Sequence, residues 1–410
     1  MKTWHRYTLL LSLLLLGALI WGGVVAASPE DQTPTLITPQ YATADAVIAD
    51  YIVTDAPYNA DKTGTQDATS AIQGAIDDCA AAGGGTVWLP AGKYKVTGSI
   101  NVKSFVTLRG DWQDPDVGTS YGTIIMANVP SSAELLPALF DIGGSAGVMG
   151  LTVYYPEQDI DDVKPYPFTF YTNGQGDRYM LASVQNCTVI NGYRGIGACC
   201  TGTAAHEMFT IDNVKGTFLM NAAEVYNQAD VGTWKNLYIN NKYWANAGAG
   251  LAAAPRSKID AYTRANATAL KLGDLEWTEF ANIEIEDYKI GIQIVDGKRI
   301  QFAGSIYGAT VTDCDYALKV DNIDSRWGMV VANSELTGSI ASIQNNAGGV
   351  VKLAGVTLTG NTSGSGQILV SDETDLSAYT VDYDRTYIKP AAHLYVADLT
   401  NDGSADVSAG

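Results

Sequence analysis

Two carboxylates one residue apart, Glu284 and Glu286 in the run Asn282-Ile283-Glu284-Ile285-Glu286, are the clearest candidates for chemistry in this sequence. On an extended strand alternate side chains share a face, so the pair would stand about 7 Å apart. That spacing suits inverting hydrolysis of a glycosidic bond, in which two carboxyl groups about 6.5–9.5 Å apart serve as general acid and general base. Asp274 and Glu276 precede Trp277 at the start of the same segment and are expected to approach the pair. Glu157 stands where Gly150-Leu151-Thr152-Val153-Tyr154-Tyr155 gives way to a stretch carrying Tyr166, Phe168, Phe170 and Tyr171. A carboxylate at the base of such an aromatic loop would have its pKa raised by the apolar wall, as a general acid requires. Asp230, at the turn before Trp234, is the remaining acid candidate. Each has a structural rival: a solvated acidic face for the glutamates, a turn satisfied by backbone donors for Glu157, a capping residue for Asp230.

Sugar rings present C–H faces that stack on aromatic side chains, and their hydroxyls suit planar polar groups. Tyr155, Gln158, Tyr166, Tyr243, Trp244, Trp277 and Arg194 are the substrate-binding candidates on this ground, although most of the 23 tyrosines must be structural. A lyase acting on a uronic-acid glycan would need a base beside a neutralised carboxylate. Lys215, Lys235 and Arg194 fall in the body of the chain, but the sequence shows no basic cluster. Ser-His-Asp chemistry is disfavoured, since His206 and His393 are the histidines beyond the leader and neither stands by a nucleophile elbow.

The elements that would position these groups are short strands in a repeat. Segments that open with Gly or Asn and then alternate begin at 150, 186, 213, 236, 282, 308, 333 and 355, a period of 22 to 27 residues broken by two longer gaps. A period of this size is the mark of a solenoid. After each Gly or Asn the first and third residues are nearly all apolar, as in Leu151/Val153, Leu237/Ile239 and Ile283/Ile285, and are expected to face inward. Recurrent Asn suits a tight corner, through tolerance of left-handed backbone or through side-chain bonding to the next coil. Ahead of the repeats, Ala71, Ile72, Ala75, Ile76 and Cys79 follow helical spacing, with Thr69 as the candidate N-cap and Gly83-Gly84-Gly85 as the stop. An open solenoid needs its end covered, so this helix is expected to cap it.

The segment from Asn59 to Gly110 resembles the opening of the pectate lyase superfamily. It carries Asp61, Gly64, Asp67, Ala68, Thr69, Ala71, Ile72 and Gln73, then Gly83 to Val87, Leu89, Pro90, Gly92 and Tyr94. The resemblance implies an all-β fold, a single-stranded right-handed parallel β-helix with an N-terminal capping helix. It also implies a glycan ligand, since the superfamily holds pectate lyases, rhamnogalacturonan-acting enzymes, glucanases, C5-epimerases and tailspikes, but not which bond is cut. Some relatives associate as homotrimers, which is the oligomer expected here.

The remaining features bound the setting. Lys2 and Arg6, an apolar run from Leu9 to Ile20 and small residues at Ala26-Ala27 read as a secretory signal peptide, against a retained anchor from Leu9 to Ala27 as the rival. The formal charge of −19 disfavours nucleic acid and polyanionic glycans, leaving neutral polysaccharides as the easiest partner. Five cysteines, odd in number and without zinc spacing, read as buried thiols. No cofactor is needed for hydrolysis. The tail Asp398-Leu399-Thr400-Asn401-Asp402-Gly403-Ser404-Ala405-Asp406 is similar to half of a calcium loop, with Asp398, Thr400, Asp402 and Asp406 as ligands. The organisation expected is a leader over 1–27, an extended lead-in over 28–56, the β-helix over 57–395 and the acidic tail over 396–410.

Overall fold

The computed structural model describes residues 33–370 apart from Gln175, Asp177, Arg178 and Thr203. The leader and the four proposed calcium ligands therefore lie outside the described residues.

The chain forms the parallel β-helix that the repeat implies. One coil runs from 183 to 198: a first face at 183–185, a corner at Asn186, a second face at 187–189 and a third face at 196–198. Each face pairs in parallel with the same face of the next coil, as Val184↔Ile211, Val189↔Gly216 and Ala198↔Val225. Among the named strands, every pairing between coils is parallel, and the antiparallel exception is Thr35–Ile37 against Val47–Ala49 in the lead-in.

The corner between the first and second faces explains the recurrent Asn and Gly. Asn186, Asn213, Asn236 and Asn282 have φ of 50°, 55°, 58° and 55°, and Gly308 and Gly355 take the same turn. This left-handed conformation costs most L-residues energy, but Gly and Asn accept it. The side chains also bond between coils: Asn213 Nδ2 donates to Asn186 Oδ1, Asn282 Nδ2 to Asn236 Oδ1 and Asn236 Nδ2 to Asp212 Oδ1, each at 2.8 Å. Both expected reasons for Asn thus operate together.

The expected inward columns are buried, from Leu151 and Val153 through Ile283 and Ile285 to Val356 and Leu358. Ser334 is the polar member and is satisfied by Ala332 O and Ala309 N. Inside the coils Phe209, Trp234, Phe280 and Phe302 form a ladder of ring contacts at 6.0, 5.2 and 6.2 Å, with His206 next to Phe209. Helix α1 (Thr69–Ala81) buries Ile72, Ala75, Ile76 and Cys79 in the same core. Thr69 is not its cap. Asp67 Oδ1 instead accepts from the Thr69 amide at 3.0 Å, because its carboxylate reaches the free first-turn donor. The strand ladder starts at Tyr51–Ile52, which pairs with 87–88, six residues ahead of the boundary read from composition. All five cysteines are unpaired; four are buried and Cys200 is half-buried.

Two outcomes follow. Asn236→Ala should lose two inter-coil hydrogen bonds and strain the corner, costing roughly 2 kcal/mol in urea unfolding, whereas Asn236→Gly keeps the backbone and should cost less. His206 is fully buried with both ring nitrogens unpaired among the described residues, and burial lowers its pKa to about 4. The unfolded chain takes up a proton that the folded one refuses, so stability should fall as pH drops from the unfolded value near 6.5 towards 4. His206→Leu should flatten that part of the stability–pH curve, by up to about 3 kcal/mol, in melts between pH 7 and 4.

Candidate functional site

The second face carries an outward column whose order is set by register: Thr188, Lys215, Tyr238, Glu284, Thr310, Glu335 and Thr357 occupy successive coils. Glu284 and Glu286 point outward, as their alternation with buried Ile283 and Ile285 requires, and both are half-buried. Two excursions from the coils meet above this face. The first, 111–122, fastens through Trp112 Nε1 to Thr188 Oγ1 at 2.9 Å. The second, 240–267, contains helices α2 (Lys242–Ala245) and α3 (Arg256–Asn266). Under them lies a second apolar cluster, outside the solenoid core, that includes Tyr121, Ile124, Tyr154, Ile190, Leu219 and Trp244.

Where the cover ends, charges take over. Lys215, nearly buried, lies between Asp114 at 2.7 Å and Asp116 at 2.8 Å. Lys242 Nζ also reaches Asp116, at 2.9 Å, and the Tyr243 hydroxyl donates to it at 3.1 Å. Burial works against a charge on Asp116, but the Lys215 and Lys242 hydrogen bonds outweigh it and hold the carboxyl below its ordinary range. Burial, then the charge of Asp116, pushes the Tyr243 phenol far up, so it acts only as a neutral donor. Beside this group Glu286 accepts from Asn240 Nδ2 at 2.5 Å and Arg256 Nη2 at 3.1 Å, while Arg256 also binds Asp260 and Asp287. Glu284 has no hydrogen-bond or ion-pair partner among the described residues. The arrangement sets a tethered carboxylate two residues from an untethered one on an accessible face.

Several sequence-derived candidates are corrected. Tyr155 and Tyr166 are core residues with ring centroids 4.7 Å apart, the Tyr155 hydroxyl bonded to Thr169, because the aromatic stretch folds inward instead of protruding. Gln158 is buried and holds the backbone of Lys164. Arg194 donates to Tyr166 O and lies over the Tyr193 ring, bracing the loop. Tyr243 and Trp244 are buried by the excursion that carries them. Asp274 is fully buried and accepts the amides of Asn227, Arg299 and Ile300, so it closes a turn and does not approach Glu284. Glu276 and Trp277 lie before the first face, on the far side of the Asn282 corner from Glu284. Asp230 is exposed at a left-handed turn on the same side as Trp277.

Glu157 lacks the expected apolar wall: its carboxylate is largely in water, 3.9 Å from Lys164 Nζ. It does line a groove of about 430 Å³ with Asp159, Asp161, Trp244 and Pro255, so the segments that lengthen the two irregular repeats, after 150 and after 236, converge. Asp116, Lys215, Tyr238 and Arg256 are the residues that sequence reasoning missed as a group. Asp116 and Lys215 are 99 positions apart, and no local pattern links them. The third face holds a further cluster: Lys271 Nζ is 2.9 Å from Glu224 Oε1, and Lys298 Nζ lies 4.7 Å from the Tyr226 ring centre. Lys271 and Lys298 come from different coils, so no local pattern in the sequence links them.

Residues 53–131 match the family model described as Rhamnogalacturonase A/epimerase, pectate lyase-like. The resemblance read from Asn59 to Gly110 holds, and this segment of the chain is similar to the pectate lyase-like family. Mannuronan C5-epimerases of Azotobacter vinelandii match over a short stretch: AlgE3 is 50% identical over 54 residues, 12% of this chain and 3% of that protein. AlgE5 is 57% identical over 54 residues, 12% of this chain and 5% of that protein. The chain therefore spans a small fraction of these relatives. Among solved structures, the A-module of Azotobacter vinelandii mannuronan C-5 epimerase AlgE4 covers 83% of this chain and 100% of its own, at 13% identity and TM-score 0.45. A double mutant of the tailspike protein of E. coli bacteriophage HK620 covers 88% and 71%, at 12% identity and TM-score 0.45.

The ion-paired group predicts its own energetics. Replacing Asp114 and Asp116 together by Asn leaves Lys215 buried without a counter-charge and should cost roughly 3–5 kcal/mol in denaturant unfolding, whereas Lys215→Met should cost much less.

Proposed function

We propose that the protein is a secreted glycoside hydrolase acting on a neutral polysaccharide across the Glu284 coil. The observation that carries this reading is the inequivalence of Glu284 and Glu286, two outward carboxyl groups on one strand. Arg256 and Asn240 tether Glu286, which suits a carboxylate that must stay oriented to activate water. Glu284 is free to move a proton to the leaving oxygen, and their spacing of about 7 Å leaves room for that water. Tyr238, laterally paired with Glu284, offers a ring beside the bond to be cut. The pectate lyase-like segment supports a carbohydrate substrate, the overall negative charge supports a neutral one, and the apolar leader supports secretion.

A second reading rests on the third face. Lys298 lies over the Tyr226 ring there, Lys271 and Tyr226 both bond Glu224, and this combination of cations, phenol and carboxylate suits proton abstraction from a uronic-acid glycan.

Incubation with neutral and uronic polysaccharides separates these readings. New reducing ends from a neutral glycan, lost about 100-fold or more in Glu284→Gln and in Glu286→Gln, are the expected result. Glu284→Gln should melt as the parent does, since its carboxylate has no partner to lose. An ultraviolet-absorbing unsaturated product that persists in both variants would move the chemistry to the third face. Binding without any product would leave a non-catalytic glycan-binding protein.

A further inference from the structure

Twelve large apolar side chains are exposed among the described residues, and half of them sit on one edge of the solenoid. They are Phe105, Leu181, Met208, Val231, Trp277 and Trp327, all at the corner where the third face turns into the first. The register makes this a column. Thr107, Gly147, Ser183, Thr210, Thr233 and Glu279 are lateral partners in successive coils. The residues two positions earlier are therefore stacked as well: Phe105, Ser145, Leu181, Met208, Val231 and Trp277. Trp327 adjoins Gly328, which holds the equivalent corner two coils further on.

Neither the core nor the turn calls for these residues. Trp277 is 53% exposed and Trp327 58%, so they fill no interior space. Phe105, Leu181, Met208 and Trp277 have φ of 66°, 61°, 54° and 47°, a conformation that costs a bulky L-residue about 1–2 kcal/mol. Gly328, at φ 63°, makes the same corner without that cost. Bulky residues held in a strained conformation with about half of their surface in water point to a ligand.

The shape selects the ligand. Successive coils advance about 4.8 Å, so from Phe105 to Trp277 the column runs roughly 24 Å and is one side chain wide. A strip one side chain wide falls short of the about 800 Å² per partner that a stable protein interface buries. A narrow linear polymer fits this strip better than a second globular surface. A row of acids accompanies it in three coils: Glu207, Asp230 and Glu276 directly precede Met208, Val231 and Trp277. Carboxylates accept hydroxyl donors and repel a polyanion. We infer that this edge is a docking strip for a neutral polysaccharide lying parallel to the solenoid axis, with apolar side chains against the sugar C–H faces and the acids on the hydroxyls. The inference rests on the carbohydrate reading above and places ligand on an edge separate from the Glu284 coil.

Native gels cast with glucomannan, xyloglucan, β-1,3-glucan or alginate test it, with the full chain as analyte. At least one neutral glycan should retard the protein, and alginate should not. The variant Met208→Ser/Trp277→Ala/Trp327→Ala should lose about tenfold in apparent affinity. Ile340→Ser, which removes an exposed apolar side chain elsewhere, should change nothing. Tryptophan fluorescence of the parent should shift with the same glycan, a readout that does not depend on the variant folding. The strip is overturned if no neutral glycan retards the parent, if the triple variant binds as the parent does, or if Ile340→Ser loses as much. It is also overturned if sedimentation shows a dimer that the triple variant dissolves, or if β-casein, an extended polypeptide, displaces the glycan. Reducing-end release is scored separately. Products formed from a glycan whose retention the triple variant leaves unchanged sink this inference alone, and strip-dependent retention without products sinks the hydrolytic reading alone.

Discussion

The left-handed corner at Asn186, Asn213, Asn236 and Asn282 is the constraint on which the rest of the molecule depends. It turns the chain sharply between two faces, and its side-chain amides bond from coil to coil at the turn. Since side chains alternate along a strand, a slip of one residue would exchange Ile283 and Ile285 for Glu284 and Glu286 in the core. An unpaired carboxylate there costs far more than any single contact in the coil gains. Corner and alternation therefore enforce the same register, and that register lines up residues from distant coils on each wall.

Given that scaffold, chemistry is left to the outward positions and to the excursions between coils. The excursions do two different things. Over the early coils of the second face they carry apolar residues onto outward Ile124, Tyr154 and Ile190 and build a second core there. At the next coils they bring Asp114 and Asp116 onto Lys215, and Arg256 onto Glu286. The wall is thus sealed over its first part and polar at the Glu284 coil, where one carboxyl group keeps no partner. The corner where the third face turns into the first carries exposed apolar residues among the described residues, four of them with left-handed backbone.

The solenoid was legible in the sequence because its determinants are local and repeated. A Gly or Asn followed by two inward apolar residues is one physical unit, and its recurrence at 150, 186, 236, 282 and 355 exposes the period without any long-range information. The outward direction of Glu284 and Glu286 follows from the same alternation. Helix α1 was visible through its apolar spacing, but its N-terminal partner was not, because Asp67 and Thr69 are both good acceptors two positions apart and only the backbone path chooses between them.

What the sequence determined by itself is the wall: which side chains point in, which point out, and that the coils stack. What only the tertiary structure decided is which outward side chains meet water. Thr152 and Glu284 hold like positions in their repeats, yet one is fully buried with its hydroxyl on Tyr121 O of the first excursion and the other stays accessible. The difference arises from excursions that close over neighbouring coils, and contacts such as Asp116 with Lys215 across 99 residues depend on the folded path and not on any local spacing. Tyr155, Tyr166 and Asp274 were misplaced for the same reason: burial is a property of the assembled coils, and an aromatic or acidic residue type does not reveal it.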